Sequence, residues 1–273
     1  MRSVATVRAG VALWEIAVPS RPTRPAGVSM AGFRDQATEL VDLRLVPHPA
    51  VTLGIDLGSG LIVDDAHGRQ QCGTVVAGLA PTARVSGRRI ECLQIRVSPI
   101  VAHTALRGSP ELDGAVITLD DLWGPDARRV QERLREAPTW DARFAIVEDA
   151  LAQRHAAGRP VDPETRFVWS RMTAHLGRVR VEDLAIEVGW SRKRLWSRFR
   201  AQIGMTPKRA AQLIRFNEAA RRLAAGHSPA LVAADTGYAD QSHLHRDVAA
   251  FTGVTPTAVA ADAWLAVDHI AWP

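Results

Sequence analysis

Two clusters of side chains carry the chemistry this chain can offer. The first is Arg192, Lys193, Trp196, Ser197 and Arg200, with Arg194 beside them, and the second is Gln241, Ser242, His243 and Arg246. Gln and Arg make bidentate contacts to base edges, and Ser and His contact bases or phosphates. Lys and Arg neutralise phosphates. The chemistry is therefore recognition of duplex DNA, not the making of bonds. Catalytic alternatives lack their residues: the chain has no Gly-rich phosphate loop, no Gly-x-Ser-x-Gly and no Cys-x-x-Cys. His48, His67 and His103 are isolated, and the one His-x-His, His243 with His245, falls in a helical pattern. Helical residues two apart diverge by about 200° and do not readily share a metal. No metal, no cofactor and no enzymatic activity are expected. Cys72 and Cys92 are expected as small core residues of apolar strands, and Glu91 beside Cys92 argues against a reactive thiol.

Positioning these clusters takes two matched units, VRVEDLAIEVGWSRKRLWSRFRAQIGMTP and SPALVAADTGYADQSHLHRDVAAFTGVTP. Each runs from a short apolar helix to a Gly (Gly189, Gly237) followed by an aromatic residue (Trp190, Tyr238). A second helix follows, and each unit closes on Gly-x-Thr-Pro. This is a helix-turn-helix pattern stated twice. In Ser191 to Ile203 the apolar stripe is Leu195, Phe199 and Ile203; in Gln241 to Thr252 it is Leu244, Val248 and Phe251. Ser191 and Ser228 are expected N-caps. Thr206 and Thr255 precede Pro207 and Pro256 at first helical positions, as Ser228 precedes Pro229. Gly189 and Gly237 are expected at positive φ. Between the two recognition helices, Pro207 to Ala225 forms a linker helix roughly 28 Å long, close to the ~34 Å between successive major grooves on one duplex face. Further helices are expected at Asp126 to Glu136, Thr139 to Arg154, Thr165 to Leu176, Val181 to Val188, Pro229 to Thr236 and Pro256 to Leu265. The pattern turns helical from Leu119 onward, and Ala142, Ala145, Ile146, Asp149 and Ala150 trace part of one face.

Charge distribution agrees. The chain has 273 residues and a net charge of +5, but residues 166 to 265 carry 15 basic against 8 acidic residues, and the remainder is slightly acidic. Positive charge collects where phosphates would be met. Residues 1 to about 125 read instead as short strands forming a sandwich or small barrel. Val41 to Val46 alternates apolar and polar residues, Ile90 to Val97 is a further strand, and Val51 to Asp56 with Leu61 to Asp65 suggests a hairpin around Gly58-Ser-Gly60. Hydrophobic residues make up 47% of the chain, yet no run approaches the ~18 to 20 apolar residues of a membrane span. Glu15 interrupts the N-terminal apolar stretch, so no signal peptide is expected. With two cysteines, an intracellular, cytoplasmic protein is the simpler reading.

Across Thr165 to Leu265 the chain resembles the AraC/XylS family of transcriptional regulators. The most specific part is Ala233-Ala-Asp-Thr-Gly-Tyr-Ala-Asp-Gln-Ser-His-Leu-His-Arg-Asp-Val-Ala-Ala-Phe-Thr-Gly-Val-Thr-Pro256, similar to the family's signature across its second unit; Arg215 to Leu223 is similar to its linker helix. The chain departs from that pattern at Val248, where many members have phenylalanine, and at Ala249 and Ala250, where basic residues are common. That departure implies weaker backbone contacts from the second unit. The resemblance implies promoter binding, often with activation through RNA polymerase, and often a sensory or dimerising N-terminal domain, cupin-like in several members.

The fold class expected is α+β: a β-rich, cupin-like N-terminal domain with a helical tail, and an all-α C-terminal domain with two helix-turn-helix units joined by a long helix. The expected boundaries are 1–155 for the sensor or dimerisation domain, 156–164 for a Gly- and Pro-containing linker, and 165–265 for the DNA-binding domain. The expected function is sequence-specific transcriptional regulation, controlled by a small-molecule effector or by homodimerisation. The alternative is a β-domain enzyme or metal-binding protein carrying a DNA-targeting module.

Overall fold

The computed structural model describes residues 3–9, 12–36, 39–65, 68–81, 83–106 and 114–272. Its N-terminal half is built on two antiparallel sheets. A seven-stranded sheet has the order β1 (Ser3–Ala9), β2 (Ala12–Val18), β3 (Val28–Asp35), β10 (Glu91–Val97), β5 (Val51–Asp56), β8 (Val75–Ala77) and β11 (Val116–Thr118). A four-stranded sheet has the order β4 (Val41–Leu45), β9 (Ala83–Gly87), β6 (Ile62–Asp65) and β7 (Gln70–Cys72). Alternation in β4 buries Val41 and Leu43 against the larger sheet, where Trp14, Phe33 and Ile90 meet them. The α+β architecture matches the sequence reading.

Three local expectations are corrected. The segment Gly58-Ser-Gly60 does not close a hairpin, because β5 pairs with β10 and β8 while β6 pairs with β7 and β9. The Asp56 carboxylate instead accepts hydrogen bonds from the backbone N–H groups of Gly58, Ser59 and Gly60, and this side-chain-stapled loop carries the chain from one sheet to the other. Inside the β region, residues 99–105 form a helix, α1 (Pro99–Ala105), with Ser98 as its N-cap and Pro99 at the start. Cys72 is exposed at the end of β7, whereas Cys92 lies in β10, where burial pushes its thiol up to about 12.

Helices α2 (Leu119–Trp123), α3 (Pro125–Glu136) and α4 (Trp140–Ala157) cover one face of the larger sheet. In α4 the buried face is Phe144, Val147 and Leu151; Ala145 and Asp149, expected on that face, are exposed. Larger apolar side chains outcompete alanines for the core because each removes more area from water. The Trp140 ring lies flat on Gly32 of β3, and a Cβ there would fall 2.3 Å from the ring.

The helical half comprises α5 (Pro163–Ala174), α6 (Val181–Glu187), α7 (Arg192–Ile203), α8 (Pro207–Ala224), α9 (Pro229–Thr236), α10 (Gln241–Thr252), α11 (Pro256–Ala260) and α12 (Ala263–Ala271). The expected single helix over Pro256 to Leu265 is two helices. The chain breaks at Asp262, whose carbonyl accepts from the Leu265 N–H to start the next turn, a place suited to Asp. Residues beyond 265 continue in α12, which packs on β1, β2 and β4 and buries Val267 and Ala271 in the inter-sheet core. No helix among the described residues is long and apolar enough to cross a membrane.

Candidate nucleic-acid interface

Each helix-turn-helix unit is fixed by local signals. Ser191 caps α7 by accepting from the Arg194 N–H, Ser228 caps α9 through the Leu231 N–H, and Thr206 and Thr255 cap α8 and α11 in the same way. Each such cap contributes about 1 kcal/mol. Gly189 and Gly237 take φ of +66° and +79°, where a side chain would be strained. Leu195, Phe199 and Ile203 of α7, and Leu244, Val248 and Phe251 of α10, are all at most 2% exposed. The Phe216 ring on α8 stacks on Phe251 at 4.9 Å, joining the linker helix to the second unit.

With the stripes buried, the opposite faces are left to solvent. On α7, Arg192, Lys193, Trp196, Ser197 and Arg200 are all exposed, and the Arg200 guanidinium lies 5.3 Å from the Trp196 ring centre. Trp196 is 47% exposed, so it does not pack into the domain. Arg198, on the same helix, is turned away and tied to Asp162 by two hydrogen bonds of 2.8 and 2.9 Å. Burial raises the Asp162 carboxyl, but hydrogen bonds with Gln202 and Arg198 outweigh it and hold the group below its usual range. Helix α1 packs against α7. At ~100° per residue, Arg198 and Gln202 lie about 170° round the helix from the Lys193, Trp196, Ser197 and Arg200 face. The linker, through Asp162, therefore holds α7 from behind and leaves its basic face open.

On α10, Gln241, Ser242 and Arg246 are exposed. His243 is half-buried, with its ring edge-on to Tyr238 at 5.1 Å. Arg194 of the first unit sits the same way, 4.6 Å over Trp190. The two units superpose in sequence with an offset of 49, Leu195 onto Leu244 and Gly204 onto Gly253. That offset equates Arg194 with His243 and Trp196 with His245. The sequence reading left out His245, which is exposed on the same face as Gln241, its Nε2 lying 3.4 Å from the Gln241 amide nitrogen. The offset itself is the signal that could have found it. Ala249 and Ala250 are exposed on α10 as well, and Val248 is fully buried.

Behind α10 lies a polar cluster the sequence did not reveal. Arg215 of α8 pairs with Asp247 at 3.2 Å and stacks over the Tyr238 ring at 4.5 Å. Burial, with the Asp247 charge adding to it, pushes the Tyr238 hydroxyl up to about 12. Among the described residues no group of three or more His, Cys, Asp or Glu side chains could hold a metal. His48 and His103 sit on separate elements, and His67 lies outside the described residues.

The cap of the second helix (Ser191, Asp240), the closing Thr cap (Thr206, Thr255) and the buried stripe recur at an offset of 49 and the turn glycine at 48, which makes two helix-turn-helix units. The comparisons agree. A family model described as a helix-turn-helix domain matches residues 184–262. The uncharacterized HTH-type transcriptional regulator YbfI of Bacillus subtilis (strain 168) is 35% identical over 82 residues, a match spanning 30% of each chain. Residues 184–262 are thus a helix-turn-helix domain. Over both halves, a structure of ToxT from Vibrio cholerae is similar in fold, with a TM-score of 0.50 at 9% identity, covering 88% of this chain and 98% of that one. Another ToxT structure, from Vibrio cholerae O395, holds (E)-4-(8-methylnaphthalen-1-yl)but-3-enoic acid; its TM-score is 0.49 at 9% identity, covering 88% of this chain and 99% of that one.

Proposed function

We propose that the chain is a sequence-specific transcriptional regulator whose α7 and α10 enter successive major grooves of promoter DNA. The observation that carries this reading is the repeated exposed face: Lys193, Trp196, Ser197 and Arg200 on α7, and Gln241, Ser242, His245 and Arg246 on α10. Arg192 flanks the first face at its N-terminal end and is paired loosely with Glu182 at 3.6 Å. His243 acts by bracing Tyr238 and stands at the edge of the second face. The 18 residues of α8 span about 27 Å, which supports two grooves read by one chain. Selection of genomic fragments with the full-length protein tests the reading: it should return one motif with two patches about a helical turn apart. Binding to that motif should weaken at least a thousandfold between 50 and 200 mM salt, as expected for about six phosphate contacts. Motif-free recovery would overturn it. Contact with RNA polymerase and assembly into a homodimer are further roles consistent with such a regulator.

The same proposal gives the N-terminal domain an effector. Between the sheets lies a cavity of about 60 Å³ lined by Trp14, Leu43, Leu61, Val75, Cys92 and Gln94, among others. Its walls are almost wholly apolar, and the buried Gln94 carbonyl has no hydrogen-bond partner. A small apolar molecule with one donor suits it. Gln94→Leu removes the unpaired carbonyl and is expected to stabilise the ligand-free protein by about 1 kcal/mol, read as a higher melting temperature. A lower one would mean that Gln94 already has its partner. Cytoplasmic residence follows from the same reading.

A further inference from the structure

The turn glycines of the two units, Gly189 and Gly237, differ in their surroundings. Both take positive φ. A Cβ on Gly189 would meet nothing within 4 Å, whereas one on Gly237 would fall 2.9 Å from Cδ and 3.0 Å from Cγ of Arg178. Turn geometry accounts for the first glycine in full; the second also makes room for a side chain from outside its own unit. Arg178 lies in the loop between α5 and α6, one residue ahead of the first unit at Val179. Its aliphatic stem crosses the second unit's turn, and its Nη1 donates to the Asp235 carbonyl in the last turn of α9 at 3.3 Å. A cation beside the C-terminal carbonyls of a helix is favourably placed.

Asp235 is held from a second side. Its carboxylate accepts from Nη1 of Arg222 on α8 at 2.9 Å, and the Arg222 Nε donates to Glu218 at 2.7 Å. The root of the Arg178 loop is fixed as well. Leu176 and Gly177 take φ of +53° and +72°, and a Cβ on Gly177 would fall 2.2 Å from the Ala211 carbonyl oxygen of α8. The entry to the first unit, the linker helix and the second unit therefore meet at Asp235–Gly237. A linker helix sets the distance between two units, but rotation about its axis leaves that distance nearly unchanged. A contact off the axis resists the rotation.

We propose that Arg178 is a positioning residue for DNA recognition, a strut from the first unit to the turn of the second that fixes the twist of α10 relative to α7. The twist in turn sets the spacing of the two base patches that the chain can read together. This deepens the reading of α7 and α10 as groove-entering helices and rests on it for its consequence on DNA; the strut itself does not. Arg178 needs no contact with a base to act in this way. One base pair inserted between two patches moves the second by about 3.4 Å and about 35°, which a rigid reader rejects and a loosened one follows.

Two measurements on the full-length protein test the proposal. Distances between spin labels at Ser197→Cys and Ala249→Cys, both exposed positions, are read without DNA in a Cys72→Ser background, because Cys72 is an exposed thiol. The distribution should broaden in Arg178→Ala and stay narrow in Arg178→Lys, which keeps the charge and a stem over Gly237. Binding is then measured on the selected duplex and on versions with one base pair added or removed between the patches. The wild type should bind the altered duplexes at least about thirtyfold more weakly, as loss of one good bidentate contact produces. Arg178→Ala should cut that penalty at least threefold, and Arg178→Lys should retain it. A lost phosphate contact would lower affinity for every duplex alike and leave the penalty where it was. Arg178 is exposed, so its variants should keep the wild-type circular dichroism. An Arg178→Ala protein with an unbroadened distribution, or with the wild-type penalty, overturns the strut. Broadening in Arg178→Ala together with a wild type indifferent to spacing would instead overturn the two-groove reading on which the spacing role rests.

Discussion

A protein carrying Gln241→Ala and Arg246→Ala together is expected to bind its selected promoter site about a hundredfold more weakly than the wild type. Both side chains are exposed on α10, flanking Ser242 and His245, and neither takes part in the core. Each bidentate base contact contributes about 1–3 kcal/mol of discrimination, and about 2.7 kcal/mol corresponds to a hundredfold. Only one positive charge is lost, so binding to unrelated duplex should fall much less. Fluorescence anisotropy on the selected duplex and on a scrambled one separates the two effects. If both duplexes lose affinity equally, α10 contacts the backbone alone and the second unit reads no sequence.

The second large effect is on stability. Asp247→Ala leaves the Arg215 guanidinium, whose side chain is only 16% exposed, without its ion partner. Removing one member of a buried pair typically costs about 3–5 kcal/mol, and the lower end is expected here because Tyr238 still covers the guanidinium. Urea unfolding should report a loss of about 3 kcal/mol. The double replacement Arg215→Met, Asp247→Leu should recover most of it, since an apolar pair of similar volume often substitutes for a buried ion pair. A loss below about 1 kcal/mol in the single variant would mean that water reaches the pair and that it does little to hold α8 against α10.

The helical half was legible because its determinants are local. Ser191, Thr206, Ser228 and Thr255 announce four helix starts, Gly189 and Gly237 two turns, and the stripes through Leu195 and Leu244 the buried faces; all lie within a few residues of what they specify. In the β half the strands at Val41, Val51, Leu61 and Ile90 were legible from their local patterns, but their pairing was not, since strand partners are chosen by contacts far apart in sequence. Nothing near Gly58 says that Val51–Asp56 will pair with Glu91–Val97 rather than with the strand that follows. The ion pairs Arg215–Asp247 and Arg96–Asp268 were hidden for the same reason, spanning 32 and 172 residues. The sequence reading took His243 and not His245 as a contact residue; the structure half-buries the first and exposes the second, a difference residue type alone does not carry for two histidines about 200° apart. Whether the boundaries 1–155, 156–164 and 165–265 mark independently folding units is a question for limited proteolysis. Hydrophobic side chains of both halves join one continuous core.

Helix α12 gives the molecule a closed circuit. The DNA-reading bundle leaves the β domain through the segment after Ala157 and is returned to it by α12, whose Val267 and Ala271 are buried between the sheets. In topological terms the reader is a domain moored at both ends, covalently after Ala157 and adhesively through α12, with α1 against α7 and Arg44 on the Thr252 carbonyl as further adhesive contacts. A reader on a single leash can sample many orientations, so most of its encounters with a duplex are unproductive. Moorings at both ends confine it to a narrow arc, and swinging α7 and α10 apart from the sheets means peeling α12 away as well as breaking the α1–α7 and Arg44–Thr252 contacts. The freedom of the two outward-facing helices is thus governed in part by α12, which lies outside both helix-turn-helix units.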